Sequence, residues 1–128
     1  MKHQIVHFEI PADDVKRAQT FYNELFGWQF SSPPGFDNYW GVDMGEDAFH
    51  GIAMMARQNP GHGPTNYIGV ESVADTLTQV EQLGGNVLVP KSPVPGMGWF
   101  ATCQDTEGNV SALWEEDTSA ACSGGGEA

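Results

Sequence analysis

His7 and Glu9 are the first residues of this chain whose types and spacing could do chemistry. They lie two apart in a run, residues 3–10, that reads as a β-strand. Alternation puts both on one face and Phe8 and Ile10 on the other. A neutral imidazole accepts a proton near neutral pH, and a neighbouring carboxylate fixes its tautomer. The pair can therefore act as general acid and base, or as a polar anchor. An imidazole held by a hydrogen bond, with Glu9 at a solvated mouth, fits the same residues. Cys103 is the other candidate nucleophile. Nothing near it in sequence would lower its thiol pKa, so it reads as a packing residue.

The elements that must position these groups follow from periodicity. The first strand is expected to end before Pro11, which has no backbone donor. Asp13 or Asp14 is a helix N-cap. Val15, Ala18, Phe21, Tyr22 and Leu25 form one apolar helical face, and Gly27 closes the helix. Strands are expected at 28–31, 39–44 and 50–56, with a turn at Ser32-Pro33-Pro34-Gly35. After a turn-rich linker, 58–64, comes a strand at 66–71. Ser72 with Asp75 resembles a capping box, and Val73, Leu77, Val80 and Leu83 line the buried face of a helix that stops at Gly84-Gly85. Strands follow at 86–90, 99–104 and 110–115, with a loop at 93–98.

The order repeats. Sliding the first half by 58 positions (65 − 7) lays Ile10 on Ile68, Val15 on Val73, Tyr22 on Val80, Leu25 on Leu83, Gly27 on Gly85 and Phe30 on Leu88. Each copy is βαβββ, about 3–57 and 65–116, within one domain of residues 1–118. Residues 119–128, with Gly124-Gly125-Gly126, read as a flexible tail. One helix cannot cover both faces of a four-stranded sheet. The expected fold class is therefore α+β: two βαβββ modules forming a curved, half-open barrel, with a ligand in the groove between them.

Composition narrows the partners. Five basic against 17 acidic side chains give a net charge of −12 over 128 residues. That argues against nucleic acid and anionic membrane as partners. No run has the roughly 18 apolar residues of a membrane span. Two cysteines, Cys103 and Cys122, with no secretion signal, point to free thiols in a reducing cytoplasm.

The run His7-Phe8-Glu9-Ile10-Pro11-Ala12-Asp13-Asp14, Phe21-Tyr22 with Phe26-Gly27-Trp28, and Asp105-Thr106-Glu107-Gly108-Asn109-Val110, together with the Gly84-Gly85 helix end, resemble the vicinal oxygen chelate superfamily. That superfamily groups glyoxalase I, bleomycin-resistance proteins and extradiol dioxygenases. The resemblance covers about residues 3–116. It implies four metal-ligand positions on the first and last strands of each copy. His7 matches the first, and the position after the Asp-x-x-Gly-Asn turn is Ala112. The repeat offset then gives Thr65 (7 + 58) and Met54 (112 − 58).

Of these four, only His7 is a good ligand for a borderline divalent ion, since thioether sulfur suits Cu(I) and alanine offers nothing. No cofactor is expected. A divalent metal rebuilt from His7, Glu9 and His50 stays open; His62 falls in the linker and His3 near the N-terminus. By strand parity Tyr67 joins Thr65 and Trp114 joins Ala112. The expected ligand-binding set is therefore His7, Glu9, Met54, Thr65, Tyr67, Ala112 and Trp114. Trp28, Trp40 and Trp99 read as packing residues. The function implied is a metal-free binding protein for a small organic molecule, of the glyoxalase/bleomycin-resistance type. Its alternatives are a metal-dependent lyase (lactoylglutathione lyase-like) or dioxygenase with a non-standard ligand set, and an isomerase or hydrolase working through His7 and Glu9. The resemblance also implies a homodimer.

Overall fold

The computed structural model describes residues 3–32 and 38–120. Most of the expected Ser32–Gly35 turn, Cys122 and the glycine run lie outside the described residues. The chain divides into two compact units. One spans residues 7–65. The other comprises 66–120 together with 3–6, because His3 N donates to Gly69 O and Gly69 N donates to Gln4 O. The unit boundary thus cuts the first strand, which sequence alone assigns whole to the first module.

The first module contains β1 (Ile5–Ala12), α1 (Val15–Phe26), β2 (Gln29–Ser31), β3 (Tyr39–Asp43) and β4 (Ile52–Ala56). Its strand order is β2-β3-β4-β1. β4 runs parallel to β1, and the other pairs are antiparallel. β1 continues through Pro11, contrary to expectation. Phe8 N donates to Gly51 O and Ala12 O accepts from Arg57 N, so even-numbered residues carry the bonds to β4. The donor that Pro11 lacks faces away from that ladder.

Asp14 caps α1 by accepting from Arg17 N at 3.0 Å, and Gly27 closes it at φ 78°. Val15, Ala18 and Tyr22 pack on Ala12, Val42 and Met54, and Trp28 stacks on Tyr22. Phe21 and Leu25 do not join them: they are 58% and 57% exposed. The apolar stripe of α1 is wider than the short strands beneath it can cover. Just after β4, Arg57 Nε donates to Asp13 Oδ1 at 2.7 Å and ties the strand end to the start of α1.

The second module contains β5 (Thr65–Gly69), α2 (Val73–Gln82), β6 (Asn86–Val94), β7 (Gly98–Gln104) and β8 (Val110–Glu116), in the order β5-β8-β7-β6. Ser72 Oγ caps Asp75 N, and Glu115 of β8 accepts from Val73 N at 2.9 Å. A carboxylate at a helix N-terminus suits the macrodipole. β6 runs four residues further than expected. It is an edge strand with register shifts, so Pro90 and Pro93 do not interrupt a ladder on both sides.

Asp105 holds the turn into β8. It accepts from the backbone of Asn109 and Glu107, and these bonds keep its carboxyl below the usual 3.8. Cys103 is buried under α2 with Val73, Ala101 and Leu113. Burial, then the charge of Asp105, raises its thiol pKa, the opposite of what a nucleophile needs. Ala120, assigned to the tail, is buried; its N donates to Asp117 O and its O accepts from Gly96 N.

Candidate functional site

Strand register decides which side chains of the first module share a face. Ile10, Ala12, Val42, Ile52 and Met54 all pack beneath α1. β1 pairs Glu9 with Ala53 and Pro11 with Met55, while β3 pairs Tyr39 with Met55 and Gly41 with Ala53. His7, Glu9, Tyr39, Ala53 and Met55 therefore occupy the sheet face away from α1.

A polar trio forms there. Tyr39 Oη lies 2.8 Å from His7 Nε2, and the two rings are nearly parallel at 12°. Glu9 Oε2 lies 3.5 Å from the same nitrogen. Glu9 is 8% exposed, an unusual setting for a carboxylate. The expected pairing of His7 with Glu9 on one face is what the register gives. Tyr39 escaped the sequence reading. Its parity with Glu9 depends on the β3–β4–β1 pairing, and nothing local to Tyr39 specifies that register.

Burial, and secondly the negative charge of Glu9, push the Tyr39 phenol well above its ordinary 10.0. A raised pKa means the folded state favours the protonated phenol. The associated stability is complete below pH 10 and is lost as pH rises toward the folded value. An alkaline absorbance titration is expected to show a tyrosine step well above the ordinary 10.0, and Tyr39→Phe should remove that step. The same titration curve for the folded Tyr39→Phe variant and its parent above pH 10 would contradict this environment.

Residues 4–45 match the family model for the N-terminal part of bleomycin resistance protein-like chains. A glyoxylase-like domain-containing protein of Didymella fabae is 34% identical over 118 residues, covering 86% of this chain and 91% of that protein. The chain belongs to the vicinal oxygen chelate superfamily. A second relative, the anthracycline biosynthesis protein DauV of Streptomyces sp. (strain C5), is 29% identical over 85% of this chain, which spans only 46% of that protein. A solved glyoxalase/bleomycin resistance/dioxygenase superfamily member from Vibrio splendidus 12B01 superposes with a TM-score of 0.63. It does so at 10% identity, over 90% of this chain and 100% of that one, a likeness of fold.

The superfamily's ligand positions can now be placed module by module. Met54 does not stand on the face of His7. It is fully buried beneath α1, opposite Ile10 in register. The repeat offset slips by one here. From Glu9 to its β4 partner Ala53 is 44 residues (53 − 9); from Tyr67 to its β8 partner Ala112 is 45 (112 − 67). The residues of β4 that share the face of His7 are Ala53 and Met55.

In the second module Leu113 packs under α2, so Ala112 and Trp114 take the other face, as expected. Register adds Tyr67 opposite Ala112, and Phe100 and Thr102 of β7 opposite Trp114 and Ala112. Phe100 and Thr102 are further residues that sequence parity missed, because it was applied only to β5 and β8. Thr65 is buried, and its hydroxyl donates to Gly63 O at 2.9 Å.

The remaining histidines lie apart from this set in their contacts. His50 Nε2 is 3.2 Å from Glu46 O in the turn before β4, and His62 Nδ1 accepts from Gln58 N. Trp99 packs near α2, donates to Asp117 Oδ2 and carries Lys91 over its ring.

Proposed function

We propose that this chain binds a small organic molecule on the sheet face away from α1, anchored by His7, Tyr39 and Glu9, without the divalent ion used by metal-dependent members of its superfamily. The observation that carries the reading is the Tyr39–His7 contact at 2.8 Å. It engages Nε2, one of the two imidazole nitrogens through which a metal could bind, with a phenol. The donor chemistry supports it. A catalytic zinc site uses about three protein ligands. On this face His7 and Glu9 are the strong donors, beside Ala53 and Met55. The other superfamily positions carry Thr65, whose hydroxyl is turned to Gly63 O, and Ala112. No group of three or more His, Cys, Asp or Glu able to hold a metal gathers among the described residues.

Elemental analysis of protein purified without added metal is the test. We expect less than stoichiometric transition metal, and the same trace content in His7→Ala. One bound ion per chain that disappears in His7→Ala would defeat the proposal.

A second reading draws on the 3.5 Å approach of His7 and Glu9, which are two real donors. It is a lyase or dioxygenase with a non-standard ligand set. It requires turnover of a hemithioacetal or a catechol that a chelator abolishes. The proposal also includes a homodimer, checked by sedimentation, and a cytoplasmic setting, which suits the buried free thiol of Cys103. Among the described residues no helix is long and apolar enough to cross a membrane.

A further inference from the structure

The repeat supplies an internal control for α1. Arg17, Phe21, Glu24 and Leu25 are spaced by three and four, so they form one stripe along the helix. Val15, Ala18 and Tyr22 point into the module, and the stripe runs beside them with Phe21 and Leu25 exposed. Under the offset of 58 these four residues fall on Asp75, Gln79, Gln82 and Leu83. The second module carries a polar amide where α1 carries a phenyl ring, so the fold itself does not call for that ring.

The charges of the stripe are also set against their own helix. Arg17 stands in the first turn of α1 and Glu24 in the last, where each opposes the macrodipole. The second module has the favourable arrangement, with Asp75 in the first turn of α2. Arg17 and Glu24 are exposed, and neither has an ion-pair partner among the described residues.

A second α1 laid antiparallel reverses these relations. The N-terminal end of one helix then lies beside the C-terminal end of the other, so Arg17 meets a negative helix end and Glu24 a positive one. The heights agree too. At about 1.5 Å of rise per residue, Arg17 stands roughly 6 Å before Phe21 and Glu24 roughly 4.5 Å after it. A two-fold axis through Phe21 therefore brings each arginine level with the other chain's Glu24 to within about 1.5 Å. Overall charge favours this place as well. Two chains of −12 repel, and Lys16 and Arg17 put two of the five basic residues on α1.

We propose that Arg17, Phe21, Glu24 and Leu25 form a self-complementary surface on which a second copy of this chain docks. The two α1 helices run antiparallel, Phe21 meets Phe21 of the partner subunit at the axis, and Arg17 pairs with Glu24 of the partner subunit. This rests on the homodimer of the reading above and supplies its surface. One helix flank covers less than the about 800 Å² per partner of a standard interface, so the dimer dissociates on dilution through micromolar concentrations.

Sedimentation equilibrium over a dilution series tests it. Phe21→Glu should weaken association about a hundredfold, because the lost ring occurs twice at the axis. Arg17→Glu and Glu24→Arg should each weaken self-association about tenfold, since each sets like charges opposite one another at two places. An equimolar mixture of the two charge variants should recover the parent's association. In the mixed dimer each position 17 again faces the opposite charge at position 24, a recovery that a role within one chain would not produce. Melting curves of each variant confirm folding.

A parent dimer left undisturbed by all three substitutions would overturn this inference and leave the homodimer standing on another surface. Weakened charge variants that fail to recover on mixing would also overturn it. A parent chain that stays monomeric at millimolar concentration would overturn both.

Discussion

Met54→Ala is expected to lower the melting temperature by roughly 10 °C or more, at about 3–5 °C per kcal/mol for a chain of this size. Met54 is fully buried, packed with Val42 and Ala12 beneath α1. Truncating such a side chain removes its transfer free energy and leaves a cavity, about 2–5 kcal/mol in comparable cores. The experiment also discriminates between two placements. A methionine on the ligand-facing side would lose affinity with little change in stability. Met54 beneath α1 should lose stability, while ligand affinity measured well below the transition stays unchanged. Met55→Ala, on the face of Tyr39, is the control and should show the reverse pattern.

Gly98→Ala is expected to destabilise the second module by about 3 kcal/mol, at the upper end of overpacking costs. A Cβ there would collide with Glu115 O and lie 2.7 Å from Trp114 Cζ2. The first contact is with backbone and cannot be relieved by a rotamer change. The second would displace the indole, which lies against Gly98 on the same face as Phe100 and Ala112. Thermal melts should show the loss, and tryptophan emission should shift. A double-mutant cycle with Trp114→Ala separates the two contacts. The backbone clash should persist in that background, so part of the cost remains and the rest appears as coupling. Full additivity would mean that Trp114 does not rest on Gly98.

How far the sequence carries differs from residue to residue. Asp14, Gly27 and Ser72 were legible because a cap is a local device: side chain and amide lie within three or four residues. The shared face of His7 and Glu9 was legible for the same reason, since alternation within one strand needs no partner. Phe21 and Leu25 were read with the apolar face of α1 and Leu83 with the buried face of α2, yet all three are exposed, because periodicity shows which helix face is apolar, not how much surface lies opposite it. Pro11 was misread as a strand end because its missing donor matters only on the side where a ladder runs. Tyr39 and Met54 depended on register, and the chain length between paired strands differs by a net one residue between the copies.

The chain by itself determined the repeated βαβββ order, the helix boundaries and caps, and the family to which it belongs. These follow from short-range preferences and apolar spacing. Only the tertiary structure decided that a phenol from β3 meets the imidazole of β1, and that the methionine expected beside them is buried under a helix. Strand pairing brings together residues far apart in sequence, and because side chains alternate at every step, a shift of one residue exchanges a site for a core.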